Sequence, residues 1–128
     1  MSIFKRLFSS SEPAVQKTID WHPLNDLTQI SEVITRSYEK TVVIFKHSTR
    51  CNISRFALDR FETDYHFASE QMTAFFLDLI AFREISNEIS RKFSVEHQSP
   101  QIIVIKNGRA VFSASHESID VGFLERFV

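Results

Sequence analysis

The chain has 128 residues, of which 43% are hydrophobic, and its 15 basic and 16 acidic side chains give a formal net charge of −1. This length fits one domain that can bury a core without disulfides or a structural metal. The balanced charge argues against a nucleic-acid-binding protein, and no apolar run is long enough to span a membrane. A single cysteine cannot form an internal disulfide, so we expect a reducing, cytoplasmic location.

Residues 1–17 are predicted to be an N-terminal appendage to one domain that covers residues 18–128. The appendage holds one short apolar stretch and then Ser9-Ser10-Ser11-Glu12-Pro13, where serine and proline interrupt any helix. The segment Thr18–Leu24 follows and predicts a short edge strand, because its proline cannot donate to a sheet ladder.

The first helix of the domain is predicted to begin at Asp26 and to end near Tyr38. Asp26 and Gln29 have the spacing of a capping box, and apolar residues follow at three- and four-residue steps. Thr41–Phe45 is then a continuous apolar run rich in β-branched residues, which is typical of a strand covered on both faces.

A second helix is predicted directly after the loop Ser48-Thr49-Arg50, with Cys51 at its N-terminal end. Helical spacing predicts one apolar face on this helix. The members of that face are Ile53, Phe56, Ala57 and Phe61.

The remaining elements follow the same patterns, and Asn107-Gly108 between two apolar runs is a strong signal for a hairpin turn. We predict strands at Ala74–Ile80, Gln101–Lys106 and Arg109–Ser113, a helix over Glu84–Ser94, and a last helix capped by Ser115 or Ser118. The order β-α-β-α-β-α-β-β-α predicts an α/β fold, with a mixed central sheet and helices on both faces.

Cys51 is the leading candidate for a reactive group. A helix N-terminus and the charge of Arg50 both favour a thiolate, which is the nucleophilic form of cysteine. Such sheets also form their sites at the carboxyl ends of strands. A lone cysteine is otherwise often a small buried hydrophobe, but the neighbours of Cys51 are polar. We therefore interpret Cys51 as a nucleophile.

Ser54 lies three residues after Cys51, where a second cysteine would resolve a mixed disulfide. Its hydroxyl cannot attack a disulfide, but it can donate a hydrogen bond to the sulfur; capping the helix or facing water is an equal alternative. His47 is a further option as a general base. The spacing of His47, His97 and His116 does not fit a mononuclear zinc site.

The stretch from Phe45 to Ser54, read Phe-Lys-His-Ser-Thr-Arg-Cys-Asn-Ile-Ser, resembles the YtxJ-type monothiol bacilliredoxins, as does His97-Gln98-Ser99-Pro100-Gln101. The element order resembles the thioredoxin fold, and the resemblance extends from about Trp21 to Val128. It implies that Cys51 is the nucleophile, that Pro100 follows a cis peptide bond, and that the backbone at Ser99 pairs with the substrate.

The residue chemistry and the resemblance together give the set of expected site residues. Asn52 stands where the family usually has a proline after the cysteine. The full set comprises the catalytic Cys51, the thiolate-supporting Thr49, Arg50 and Ser54, and the substrate-binding Asn52, Ser99 and Pro100.

The activity that the resemblance implies is thiol–disulfide exchange with bacillithiol, a low-molecular-weight thiol that some bacteria use in place of glutathione. Cys51 would attack the bacillithiol sulfur of a protein mixed disulfide, and another thiol molecule would regenerate it. The implied partners are S-bacillithiolated proteins and a low-molecular-weight thiol, with bacillithiol as co-substrate and no bound cofactor or metal.

Three alternative functions stay open at this stage. The first is exchange with glutathione or with protein thiols. The second is an iron–sulfur cluster carrier that bridges the cluster across a dimer through a Cys-x-x-Ser motif, although such carriers usually have glycine where this chain has Asn52. The third is a non-catalytic binding module of thioredoxin fold, in which Cys51 is incidental.

Overall fold

The computed structural model describes residues 19–128, and the predicted appendage at residues 1–17 lies outside them. A five-stranded sheet runs between two helical layers. The strands are β1 (His22–Pro23), β2 (Thr41–His47), β3 (Met72–Asp78), β4 (Gln101–Lys106) and β5 (Arg109–Ser115). The helices are α1 (Gln29–Ser37), α2 (Asn52–Asp64) and α3 (Arg83–Phe93), with 3₁₀ helices at His116–Ser118 and Val121–Phe127.

The sheet has the strand order β1-β3-β2-β4-β5 and is mixed, as predicted. β3 pairs in parallel with both β1 and β2, whereas β4 runs antiparallel to β2 and to β5. The hairpin between β4 and β5 turns at Asn107 and Gly108, whose φ angles of 54° and 79° are those that such a tight turn requires. The predicted α/β class and element order are confirmed, except for the form of the last helix.

Two hydrophobic cores lie on opposite faces of the sheet, because side chains alternate along each strand. Val42 and Ile44 of β2 pack with α1 and α3. Val43 and Phe45 pack instead with α2 and the second 3₁₀ helix. The second core is rich in aromatic rings, and Trp21 stacks there on Phe61 at 6.0 Å between ring centroids.

The residues predicted as a capping box, Asp26 and Gln29, form two hydrogen bonds in the turn before α1, whose N-cap is Thr28 and not Asp26. The Asp26 carboxylate accepts a hydrogen bond from the Thr28 backbone N–H at 2.9 Å. The Gln29 side-chain oxygen accepts one from the Asp26 N–H, also at 2.9 Å. Together these bonds satisfy two donors that a helix start would otherwise leave free.

Two predicted elements are wrong in extent or type. The strand predicted over Thr18–Leu24 is shorter, because among the described residues 19–24 only His22–Pro23 forms β1. The C-terminal segment forms 3₁₀ turns and not an α-helix, and Asp120 caps the second turn by accepting from the Gly122 N–H. The 3₁₀ form places residues three apart on one side, which buries both Val121 and Leu124.

The apolar face predicted for α2 is also only partly correct. Ala57 and Phe61 are buried, and Ser54 lies on the same buried side of the helix. Ile53 and Phe56 are instead 57% and 71% exposed. The helix therefore turns two large apolar side chains outward near its N-terminus.

Candidate active site around Cys51

Cys51 lies where the prediction places it, at the carboxyl end of β2 and at the start of α2. It is the N-cap residue of α2, with extended backbone angles of φ −122° and ψ 122°. Its carbonyl oxygen accepts from the Arg55 N–H at 3.1 Å, which closes the first helical turn. The residue is partly exposed, as attack on a disulfide of a second molecule requires.

The surroundings of the thiol carry positive charge. Arg50 precedes Cys51 and Arg55 lies one turn into α2, and both side chains are exposed. Within residues 19–128, neither arginine belongs to an ion pair. Their charges add to the positive end of the helix dipole, and both favour an anion at this position.

Ser54 is completely buried and ties the active-site loop to α2. Its Oγ lies 2.8 Å from Nδ1 of His47 and accepts a hydrogen bond from the Ser48 N–H at 3.0 Å. Among the described residues, no hydrogen bond joins this hydroxyl to the Cys51 sulfur. Support of a Cys51 thiolate by Ser54 therefore stays a prediction.

His47 is buried, and its surroundings disfavour the charged imidazolium. Burial lowers the pKa of His47 below its usual value, although the carboxylate of Asp78 acts in the opposite direction. The imidazole also packs against the Phe76 ring, with centroids 5.7 Å apart. His47 thus contacts Ser54, and the described contacts place it in the support of the loop.

Ser99 and Pro100 lie at the same edge of the sheet as the active-site loop. Their peptide bond is cis, as the resemblance implies. β4 begins at the next residue, Gln101, which pairs with Lys46 near the end of β2. The Ser99 hydroxyl is buried and has no hydrogen-bond partner among the described residues. The fold thus brings Ser99 and Pro100 to the strand that leads into Cys51.

Thr49 and Asn52, the remaining predicted site residues, flank this part of the loop and the first turn of α2. Both side chains are exposed. Their position beside Cys51 follows from the chain itself, and their roles toward a substrate stay predictions.

Lys46 is a feature of the site region that the sequence analysis missed. Its side chain is completely buried, and its Nζ lies 2.8 Å from Nδ1 of His97. Burial lowers the pKa of Lys46 to about 8, and the positive charge of Arg83 acts in the same direction. The alternation of β2 was an available signal, because position 46 falls on the same face as Val42 and Ile44.

The segment before Ser99 is further fixed by side-chain bonds to backbone. Gln101 donates from its amide nitrogen to the Glu96 carbonyl at 3.0 Å, and its side-chain oxygen accepts from the Gln98 N–H at 3.3 Å. Ser86 of α3 lies 3.3 Å from the His97 nitrogen that Lys46 contacts. The loop is thus attached to both the sheet and α3.

Residues 19–128 contain no group of three or more His, Cys, Asp or Glu side chains that could hold a metal ion. In the same part of the chain, no helix is long and apolar enough to cross a membrane.

Comparison with known proteins gives both family and fold. The family model described as monothiol bacilliredoxin BrxC matches residues 22–124. A solved protein described as having a thioredoxin fold is 31% identical, with a TM-score of 0.71 over 83% of this chain and 91% of that one.

Two solved thioredoxins share the fold at lower identity. Thioredoxin from Malassezia sympodialis is 18% identical, with a TM-score of 0.63 over 87% of this chain and 88% of that one. Thioredoxin from Schistosoma mansoni is 19% identical, with a TM-score of 0.63 over 84% and 95%. The chain therefore belongs to the monothiol bacilliredoxin family and is a thiol oxidoreductase with a thioredoxin fold.

Proposed function

We propose that this protein removes bacillithiol from S-bacillithiolated proteins in the cytoplasm, using the thiol of Cys51. The observation that carries the proposal is the position of this cysteine, the only one in the chain. Cys51 is partly exposed and is the N-cap of α2. It also follows β2, whose end pairs with Gln101, the residue after Ser99-Pro100. An accessible thiolate is the one covalent group that disulfide exchange requires.

The first step is attack of the Cys51 thiolate on the bacillithiol sulfur of the mixed disulfide. A sulfur–sulfur bond forms between Cys51 and bacillithiol, the original disulfide bond breaks, and the target protein leaves as its thiolate. Arg50 and the start of α2 favour the attacking anion. Thr49 and Ser54 are assigned to its support, and Asn52, Ser99 and Pro100 to contact with the substrate.

A second thiol completes the cycle, because the chain holds no other cysteine. The thiolate of a second bacillithiol molecule attacks the bacillithiol sulfur bound to Cys51, which releases bacillithiol disulfide and restores the free thiol. The net reaction transfers the disulfide from the target protein to the small thiol, with electrons and protons balanced. Ser54 cannot replace this second thiol, since a hydroxyl does not displace a thiolate from a disulfide.

The test is to mix the purified protein with an S-bacillithiolated protein and to follow intact masses. We expect a bacillithiol adduct on Cys51, release of the target thiol, and loss of the adduct when free bacillithiol is added. The Cys51→Ser variant should form no adduct, and an S-glutathionylated form of the same substrate tests the choice of thiol.

Three results would contradict the proposal. Absence of an adduct with either substrate would rule out the exchange reaction. Equal or faster reaction with the glutathionylated form would remove the preference for bacillithiol. Stable visible absorption after anaerobic reconstitution with iron and sulfide, lost in Cys51→Ser, would favour the cluster carrier.

A further inference from the structure

A shallow apolar groove lies along the first turns of α2, the helix that begins at Cys51. Ile53 and Phe56 are more than half exposed, and Phe56, at 71%, is the most exposed of the large hydrophobic side chains in the described residues. The cavity has a volume of about 230 Å³. Its lining residues are Ile53, Phe56, Ala57, Arg60, His116 and Glu117. Exposed apolar surface that is contiguous in this way marks a contact site more often than isolated exposed residues do.

One wall of the groove is formed by α2, the helix that Cys51 caps. Phe56 follows Cys51 by five residues, which places it ~7.5 Å further along the axis at 1.5 Å per residue. Five residues also turn the helix by a net rotation of about 140°, so Phe56 lies around the helix from Cys51, which is not among the lining residues. The other wall is attached to the opposite side of the site, because the His116 N–H donates to the Pro100 carbonyl at 3.1 Å. The groove is therefore formed on the helix that Cys51 begins and is connected to the Pro100 backbone through His116.

The area of an ordinary protein interface indicates whether a protein substrate would cover the groove. An ordinary protein interface buries about 800 Å² on each partner, a patch of roughly 16 Å radius. A folded protein whose mixed disulfide is brought to the Cys51 sulfur for attack therefore covers Phe56 when its interface is centred on the thiol and has ordinary size. The surface of that protein next to its modified cysteine then faces Ile53 and Phe56.

Charge around the groove restricts the partner further. Arg50 and Arg55 are exposed, and within residues 19–128 neither is paired with an acidic side chain. The Arg60 guanidinium donates one hydrogen bond to the Ile119 carbonyl at 2.9 Å. Glu117, which is exposed, supplies a negative charge at the opposite wall of the groove. The positive charge of Arg50 and Arg55 at the start of α2 fits carboxylates on a partner.

We propose that this groove, formed around Ile53 and Phe56, is the docking surface for the target protein of the exchange reaction. It receives an apolar side chain that neighbours the modified cysteine of the target, with acidic residues of the target facing Arg50 and Arg55. The inference rests on the proposed function and extends it from the small thiol to the protein half of the substrate.

The test compares a protein substrate with a small one in the full-length chain. Phe56→Ser should lower kcat/KM toward an S-bacillithiolated protein by roughly tenfold, the effect of removing one aromatic anchor from an interface. The same variant should react with bacillithiol disulfide alone at the wild-type rate. Tyr38→Ser is the matched control, since Tyr38 is an aromatic residue of similar exposure, 65%. Tyr38 is the C-cap of α1, just before β2 begins, and Cys51 follows the opposite end of β2. This control variant should leave both rates unchanged.

Several outcomes would overturn the docking surface. An unchanged rate toward the protein substrate would remove Phe56 from the interface, and an equal loss with both substrates would assign the effect to the thiol. Dissociation of a wild-type dimer by Phe56→Ser in sedimentation would assign the groove to a second copy of the chain. A rise in the protein rate after Phe4→Ser or Phe8→Ser would assign it to the N-terminal segment. A wild-type thiol that reacts with neither substrate would instead contradict the proposed function.

Discussion

Nζ of Lys46 lies 2.8 Å from Nδ1 of His97 and joins the end of β2 to the loop that leads into Ser99-Pro100. The lysine side chain is completely buried, so its charge is removed from water. Removing an ammonium group from water is unfavourable, and the lowered pKa of Lys46, about 8, expresses that cost. The contact thus uses a buried ammonium group, which destabilises the fold, to attach the loop before Ser99-Pro100 to β2.

Lys46→Met should raise the free energy of unfolding at pH 7. The pKa of Lys46 falls from 10.5 to about 8 on folding, and a difference of this size corresponds to about 3 kcal/mol. Between these two values the unfolded chain binds a proton that the folded chain lacks. The free energy of unfolding of the wild type should therefore rise from pH 8 to pH 9.5, and that of Lys46→Met should not.

Urea unfolding at several pH values measures this difference. Lys92→Met, at an exposed position on α3, is the control and should keep the wild-type pH dependence. The pH range stops below 10 because burial raises the pKa of Tyr65 to about 12, and this opposes the effect of Lys46 at higher pH. Equal slopes for wild type and Lys46→Met would show that the lysine is charged in the folded protein throughout this range.

His47 should make the protein less stable in acid. Burial lowers its pKa below the ordinary value of 6.5, so the folded chain resists a proton that the unfolded chain accepts. The free energy of unfolding should consequently fall as the pH decreases through 6.5 toward 5. His47→Asn should show a shallower fall over this range, whereas His22→Asn, on the edge strand β1, should retain the wild-type slope.

Ser54→Ala should destabilise the fold by about 1–3 kcal/mol, because it leaves the buried Ser48 N–H without its acceptor. Exchange at Cys51 should become slower without stopping, since the nucleophile remains. Chemical unfolding and the mass assay measure the two effects separately. Thr63→Ala, whose exposed hydroxyl bonds only to the Asp59 carbonyl in the described contacts, is the control and should cost much less. Full loss of exchange in Ser54→Ala would show that the hydroxyl takes part in the reaction itself.

Ser54→Cys should convert the monothiol site into a dithiol one. The new sulfur lies one helical turn from Cys51, as the two cysteines of a Cys-x-x-Cys motif do. After mild oxidation, titration should find no free thiol in this variant, whereas the wild type should retain the thiol of Cys51. Persistence of two free thiols would mean that the buried position of Ser54 keeps the two sulfur atoms apart.

The features that could be predicted from the sequence are those set by neighbouring residues. The turn at Asn107-Gly108 depends on two adjacent residues, and the hydrogen bonds in the turn before α1 depend on Asp26 and Gln29. The position of Cys51 at a strand-to-helix junction follows from the apolar run before it and the helical pattern after it. Each of these signals acts within a few residues, where the physical rules are strongest.

The features that could not be predicted depend on which segments meet in space. Lys46 and His97 are separated by 51 positions in the chain, so no local pattern joins them. The exposure of Phe56 depends on how α2 is rotated against the sheet, and that rotation buries the opposite side of the helix, where Ser54 lies. A hydrophobic pattern reveals that a helix has an apolar side, but it does not show how much of that side the sheet covers.

Because Cys51 is the only cysteine, each chain can hold at most one small thiol as a disulfide. At equilibrium, the ratio of modified to free protein is proportional to the ratio of the small disulfide to its thiol, each to the first power. A dithiol protein that closes an internal disulfide reduces one small disulfide and releases two small thiols. Its ratio of oxidised to reduced protein therefore also depends on the total thiol concentration. Occupancy of Cys51 therefore follows the balance of the surrounding pool and is insensitive to the amount of thiol that the pool contains.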